Sequence, residues 1–410
     1  MNKYVVFIII LFYACDTVKR EKVYEAEKVD VNIMDIDGVK MVTGNNCFTL
    51  KDHFIWCGSV IKGEDDKYYL FYSAMDSGDD KPVFSNAWLL GSKIGVAVSD
   101  NPYGGFSDLG IYYNADGYTP DYSSWDAQMA HNAHIRKFNN KYYLYYTGSV
   151  DPGINALGAS DLDLRSRIQQ NQKIGVLCFN SICDFLEGKY MCNEVPILSP
   201  RTRVKPDKIL EPSPDGTVPL PDNIIVVNPS VVYRPSDGKY LLYFKGNMYD
   251  PTWRGVHGVA ISDSPSGPFV AINKPVFYLE TGNLNEKLSA EDPYVWYNEK
   301  DKRFYAVFKD FTGHFTKNEP CLAIMYSQDG IDWKLPENSL FMKKRLIFMN
   351  GDTIAVNRLE RPQLYVDDNG TPLVLYAACA IDDINNKNDG TSFNVHIPIK
   401  EMFVNASTNQ

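Results

Sequence analysis

The sequence predicts an all-β protein, a five-bladed β-propeller with about four antiparallel strands in each blade. The first observation is a hairpin pattern, two short alternating strands around a polar turn, that recurs five times along the chain. The second is the aromatic content, 27 Tyr and 21 Phe in 410 residues, because aromatic side chains favour strands. The third is that no long helical period competes with the strand pattern. A β-sandwich, the alternative architecture, does not explain the fivefold recurrence.

The first residues of the chain resemble a targeting signal. Lys3 precedes an apolar stretch, residues 5–13, that is too short to span a bilayer and ends at Ala14 and Cys15. We interpret residues 1–15 as a lipoprotein-type signal peptide in which Cys15 is acylated. Secretion with an unmodified Cys15 is the alternative.

The rest of the chain is expected to be a tether and N-terminal segment, residues 16–45, followed by the propeller domain, residues 46–404. The predicted location is the cell envelope, at the periplasm or the outer-membrane surface, or the secreted fraction. The only expected contact with a membrane is the lipid anchor at Cys15. A formal net charge of -10 without a long basic run argues against a nucleic-acid partner.

Each copy of the hairpin pattern consists of a short strand, a charged or Gly turn and a Tyr-rich strand. The five copies span residues 58–72, 132–146, 228–244, 292–308 and 361–376. A third strand follows most copies, at residues 93–99, 173–178, 256–262 and 321–327. Long and irregular spacings between the copies indicate inserted loops, the longest at residues 151–172.

The residues that open the five copies are mostly polar, which is unusual for strands entering an apolar core. The innermost strands of a propeller run along the channel, so their first residues should meet at one end of the axis. The opening dipeptides are Cys57-Gly58, His131-Asn132, Val227-Asn228, Glu291-Asp292 and Glu360-Arg361.

These openings predict a site for glycosidic bond hydrolysis, which uses two carboxyl groups, one as proton donor and one as base or nucleophile. We expect Glu291, Asp292 and Glu360 to supply these carboxyl groups. A strand cap or an ion pair with Arg361 is the structural alternative for each. Amides and cations can bind sugar hydroxyls or a substrate carboxylate. The expected substrate-binding residues are His131, Asn132, His134, Asn228, Lys245, Lys309, Asp310 and Arg361.

The sequence demands neither a cofactor nor a metal. Its cysteines are scattered and lack the spacing of a zinc site, and no other ligand cluster requires an axial ion. Cys178, Cys183 and Cys192 are close enough in sequence for one local bridge, but free thiols are the preferred interpretation.

Three sequence features resemble those of glycoside hydrolase family 43. They are the X-Pro dipeptides that open strands at Asn228, Asp292 and Arg361, the Gly-Lys-Tyr hairpins, and the Ser-Asp-x-Pro-x-Gly-Pro-Phe tail. Families 32, 117 and 130 share that architecture, and the resemblance covers about residues 50–400. It implies a five-bladed propeller glycosidase. In family 43 an Asp opening the first blade is the base, a second Asp tunes the site and a Glu of the third blade is the acid.

This sequence departs from that pattern. Its first copy opens with Cys57-Gly58 and its third with Asn228, while its carboxylates lie in copies four and five. The arabinofuranosidase or xylosidase assignment therefore does not carry over, and a divergent family is indicated.

The expected function is that of an extracytoplasmic glycoside hydrolase acting on a plant or algal oligosaccharide or polysaccharide. Two alternatives stay open. A non-catalytic carbohydrate-binding lipoprotein is favoured by the missing carboxylate in the first copy. A glycoside phosphorylase on the same fold would need one carboxylate and a cationic phosphate pocket.

Overall fold

The computed structural model describes residues 20–113, 124–203, 208–213, 218–249, 252–279 and 290–405. Five antiparallel sheets of four or five strands are arranged in a ring in these ranges, so the predicted five-bladed propeller is confirmed. The predicted signal peptide, with Cys15, lies outside the described residues.

Blades one to four follow one another along the chain, and each runs from its inner strand to its outer strand. The strands of blade one are His53–Lys62, Tyr68–Asp76, Lys93–Ser99 and Ser107–Tyr113. Those of blade two are Met129–Phe138, Lys141–Ser149, Lys173–Phe179 and Met191–Cys192. Those of blade three are Val226–Arg234, Lys239–Tyr249, Trp253–Ser262 and Val270–Ala271. Those of blade four are Ala290–Asn298, Arg303–Asp310, Cys321–Ser327, Trp333–Lys334 and Leu340–Met342.

Blade five is built from both ends of the described chain. Its inner strands are Arg358–Val366, Pro372–Ala380 and Phe393–Asn405. The N-terminal strand Arg20–Ala26 pairs with Phe393–Asn405 along its whole length, and Cys47–Phe48 pairs with the same strand. Part of the expected tether and N-terminal segment is therefore integrated into the sheet, where it closes the ring.

Short elements decorate the blades. Two hairpins stand beside the main sheets, Asn32–Ile36 with Val39–Thr43 and Arg345–Ile347 with Thr353–Ala355. The helices are Phe84–Leu90, Leu164–Gln170 and Ile182–Leu186. The first two are inserted between the second and third strands of blades one and two, and they contact each other. Across the described ranges, no helix is long and apolar enough to cross a membrane.

The apolar core lies between adjacent blades. One cluster joins blades two and three through residues such as Tyr145 and Phe244, and equivalent clusters fill the other four junctions. Burial of these faces against each other is the main favourable term that holds the sheets in a ring. The seven described cysteines are free thiols, as the sequence favoured.

Candidate active site

Every inner strand is irregular where it opens towards the axis. The register with the second strand slips there, and the residue at the slip has a left-handed backbone conformation. A bulge of this kind re-aims side chains away from the regular alternation. Asn and Asp tolerate the conformation well, whereas Cys and Arg adopt it rarely. The five residues are Cys57 (φ 43°), Asn132 (φ 58°), Asn228 (φ 59°), Asp292 (φ 57°) and Arg361 (φ 53°).

Four of these five residues form a hydrogen-bonded ring around the axis. Asn132 Nδ2 donates to Asn228 Oδ1 at 2.5 Å, and Asn228 Nδ2 donates to Asp292 Oδ1 at 2.7 Å. The backbone N–H of Arg361 donates to Asp292 Oδ2 at 3.0 Å. Arg361 Nη2 donates to the carbonyl of Asn132 at 3.0 Å and completes the circle. The ring therefore fixes Asp292 from two sides.

A second polar layer fills the channel two residues further along each inner strand. His134 Nε2 accepts from the backbone N–H of Val231 at 3.0 Å, so Nδ1 carries the proton and donates to Gln363 Oε1 at 2.9 Å. Burial, followed by the nearby Arg136, lowers the pKa of His134, which stays neutral. The layer consists of Ser59, His134, Ser230, Tyr294 and Gln363.

The second strands supply a repeated contact from one blade to the opening of the next. The contact residues are Ser73, Thr147, Lys245 and Lys309. The two hydroxyls each accept a backbone N–H at 3.0 Å, from Asn132 and Asn228. The two lysines instead form ion pairs, Lys245 with Glu291 and Lys309 with Glu360.

A cavity of about 290 Å³ lies above the ring at this end of the axis. Its aromatic wall is formed by Trp56, Phe84 and Trp88. The rest of the cavity wall is lined by amides from blades two and three and by carboxylates and cations from blades three to five. The polar lining residues are His131, Asn132, Gln169, Gln172, Asn228, Lys245, Asn247, Glu291, Asp292, Arg358 and Glu360.

The two adjacent carboxyl groups of blade four have opposite pKa shifts. Burial and the neighbouring charge of Glu291 raise the pKa of Asp292 to about 6, although Arg361 opposes the change. Burial would also raise the pKa of Glu291, but the positive charges of Lys245 and Lys309 outweigh it, so this pKa is lowered. When the pKa values of two carboxyl groups in one cavity are shifted in opposite directions, one group can be a protonated acid while the other is an anion.

His131 is a neutral side chain on the cavity wall. Its Nδ1 is 2.7 Å from Ser92 Oγ, and its ring lies 6.0 Å from the ring of Trp88. Burial, followed by the positive charge of Arg361, lowers its pKa to about 3. A neutral imidazole can donate a hydrogen bond to a ligand or accept one from it without bringing charge into the cavity.

The structure brings seven of the predicted site residues to the cavity. They are His131, Asn132, Asn228, Lys245, Glu291, Asp292 and Glu360. The other four lie away from it. His134 is in the second channel layer, Lys309 lies behind Glu360, and Arg361 is fully buried in the ring. Asp310 is also fully buried, and its carboxylate accepts the backbone N–H groups of residues 313, 315 and 316. None of these four lines the cavity.

Several cavity residues were not anticipated. Arg358 and Asn247 could have been found, because each lies two residues from a predicted site residue on the same strand and shares its face. Trp88 and Gln169 come from the inserted helices, and the strand repeat carries no signal for them.

No group of three or more His, Cys, Asp or Glu side chains in the part of the chain that the structure describes could hold a metal ion.

Comparison with known proteins shows only which fold the chain shares with them. No known family model matches the sequence, and no curated protein matches it either. A solved glycoside hydrolase aligns with a TM-score of 0.57 at 11% identity over 94% of this chain and 95% of its own. A family 117 glycoside hydrolase produced by the marine bacterium Zobellia galactanivorans aligns with a TM-score of 0.51 at 15% identity, over 93% and 90% of the two chains. Sucrose-6-phosphate hydrolase from Lactobacillus gasseri aligns with a TM-score of 0.53 at 12% identity, over 86% of this chain and 60% of its own. The resemblance to this group is confirmed at the level of the propeller fold.

Proposed function

We propose that the protein is a glycoside hydrolase that cleaves a glycosidic bond in a plant or algal oligosaccharide or polysaccharide outside the cytoplasm. The observation that carries the proposal is the convergence of Glu291, Asp292 and Glu360 on one cavity at the axis. Glycosidic bond hydrolysis requires two such groups in different protonation states. The glycoside hydrolases that share the fold support this choice among the chemistries that carboxylates perform.

Asp292 is assigned the role of general acid. Its raised pKa keeps a proton on the carboxyl group up to about pH 6, and this proton passes to the glycosidic oxygen as the bond to the sugar breaks. The Asn228 amide and the Arg361 backbone N–H hold the group in place. The anionic partner, as base or nucleophile, is Glu291 or Glu360, each of which is paired with a lysine from the preceding blade.

The remaining lining residues suit a sugar. Trp56 and Trp88 offer flat apolar faces, against which the C–H face of a pyranose or furanose ring packs. The amides of Gln169, Gln172 and Asn247 face the same space and can bind hydroxyl groups as donors or acceptors.

The proposed location follows from the N-terminal sequence. Acylation of Cys15 after removal of the preceding residues would place the enzyme at the cell envelope. Release of sugars from an external polysaccharide fits that location, whereas a phosphorylase needs free phosphate beside its substrate.

The test is a hydrolysis screen of the full chain against a panel of plant and algal oligosaccharides. Glu291→Gln, Asp292→Asn and Glu360→Gln are assayed in parallel, with Glu299→Gln, an exposed carboxylate of blade four, as the control. We expect sugar release by the wild type and the control. Asp292→Asn and one of the two Gln variants should lose at least about 100-fold in kcat.

The alternatives predict different results. A binding protein would bind oligosaccharides without releasing sugar in any variant. A phosphorylase would release a sugar phosphate only when inorganic phosphate is present. Either outcome would replace the hydrolase proposal.

A further inference from the structure

The three carboxylates of the cavity are matched by four cations, Lys245 and Arg358 on its wall and Lys309 and Arg361 directly behind it. Glu291 is paired with Lys245, and Glu360 is paired with Lys309. Asp292 is held in the ring beside Arg361. These three carboxylates therefore have three cationic neighbours before the last cation of the wall, Arg358, is counted.

Arg358 shares the carboxylate of Glu360 with Lys309, and its other contacts are with uncharged groups. Its Nη1 lies 3.1 Å and 3.3 Å from the two oxygens of Glu360, whose charge Lys309 already balances. Its Nη2 donates to the amide oxygen of Asn385 at 2.6 Å. Its Cζ lies over the ring of Phe84, 5.6 Å from the ring centre. Nε has no hydrogen-bond partner among the described residues.

This local surplus of positive charge contrasts with the chain as a whole, which has a formal net charge of -10. The surplus grows by one further charge when Asp292 carries the proton that an acid catalyst needs. A guanidinium with 20% of its side chain exposed to a small cavity loses part of its hydration, and an anionic ligand group restores that loss. A neutral sugar does not.

We propose that the cavity selects a sugar that carries a carboxylate, a uronic acid residue, and that Arg358 determines this specificity. The guanidinium and the carboxylate match in geometry, since both are planar and can form two parallel hydrogen bonds. This inference rests on the proposed function, because it names the substrate class of the same cavity.

The test is the affinity of the full chain for disaccharide pairs that differ only at C6, measured by isothermal titration calorimetry. The pairs are galacturonide and galactoside, glucuronide and glucoside, and mannuronide and mannoside. We expect at least one uronide to bind about tenfold more tightly than its neutral partner, a difference of about 1.4 kcal/mol.

Variants identify the group responsible. Arg358→Gln should reduce the preference for the uronide to less than about threefold, and Arg358→Lys should leave an intermediate preference because it keeps the charge without the planar fork. Arg345→Gln, an exposed arginine of a surface hairpin, should leave the preference unchanged. Circular dichroism checks that each variant is folded. The comparison of the ligand pairs on the wild type needs no variant, so it tests the uronide preference even if a variant does not fold.

Several results overturn the inference. They are equal or tighter binding of the neutral partners, no binding of any uronide, and a preference that Arg358→Gln leaves unchanged. Inorganic phosphate that binds as tightly as the uronide, and depends equally on Arg358, would show that the anion is a phosphate. Hydrolysis of a neutral sugar would overturn the inference and leave the proposed function standing. Binding of a uronide without hydrolysis would support the selectivity for a uronide and overturn the proposed function.

Discussion

At the scale of single residues, the position of Asp292 explains why two adjacent carboxyl groups behave differently. Its bulged backbone places it in the axial ring, where burial and the charge of Glu291 raise its pKa to about 6. Glu291, one residue earlier, faces Lys245 instead. A difference of one backbone position therefore separates an acid from an anion.

This difference predicts the pH dependence of activity. A general acid works only when protonated, so kcat should fall as the pH rises through about 6, the pKa of Asp292. Asn228→Ala removes a hydrogen bond that stabilises the ionised carboxylate, so the pKa rises and the fall in kcat moves to higher pH. Profiles of kcat against pH for both proteins give the two midpoints. An unchanged midpoint in Asn228→Ala would assign the fall to another group.

The repeat made the carboxylates of the cavity predictable from the sequence. Aligning the five openings was sufficient to select Glu291, Asp292 and Glu360, because equivalent positions of a propeller meet at the axis. The burial of Arg361 and His134 could not be predicted, since simple alternation ignores the bulge that sets which side chains point along the channel. Arg358 was missed because the alignment began two residues too late.

At the scale of elements, three of the five blades share a packing pattern between their second and third strands. A glycine of the third strand stands directly opposite an aromatic residue of the second strand in blades one, two and three. The pairs are Tyr72 with Gly95, Tyr146 with Gly175, and Phe244 with Gly258. The missing side chain leaves room for the ring to lie across the neighbouring strand.

Gly258→Ala should therefore destabilise the fold. A Cβ at Gly258 would lie 2.2 Å from Cζ of Phe244, so the ring or the strand must move. We expect the free energy of unfolding to fall by about 1–3 kcal/mol, measured by urea denaturation. Gly255→Ala is the matched control on the same strand, because its nearest neighbour is the flexible side chain of Lys245 at 3.3 Å. An equal loss in both variants would show that the ring contact is not the cause.

At the scale of the whole molecule, the ring is closed by the N-terminal strand Arg20–Ala26 in blade five. The five blades were predictable because each repeats a Tyr-rich hairpin. The closing strand was not, since it belongs to no hairpin and its sequence carries charged residues on both faces. Its place in the sheet depends on pairing across almost the full length of the chain.

Tyr24 is the residue through which the closing strand can be tested. Its side chain is 6% exposed, and its ring lies 5.2 Å from that of Phe341 in blade four. Tyr24→Ala should lower the free energy of unfolding by about 3–5 kcal/mol, as other large-to-small core substitutions do. Tyr278→Ala, at a residue that is 40% exposed, should change it by less than about 0.5 kcal/mol. Similar values for the two variants in thermal or urea denaturation would mean that the N-terminal strand adds little to closure.

The closing strand also links the fold to the proposed location. The strand begins at Arg20, five residues after Cys15. Even a fully extended chain of that length spans at most about 18 Å. An acylated Cys15 would therefore hold the edge of blade five close to the membrane surface. We expect the wild type to incorporate labelled palmitate and to sediment with membranes, and Cys15→Ser to lose both properties. Cys183→Ser, which removes an exposed thiol elsewhere, is the control. Label that persists in Cys15→Ser would place the acylation at another residue. A wild type that stays unlabelled in the soluble fraction would favour simple secretion, and either outcome would contradict the anchor at Cys15.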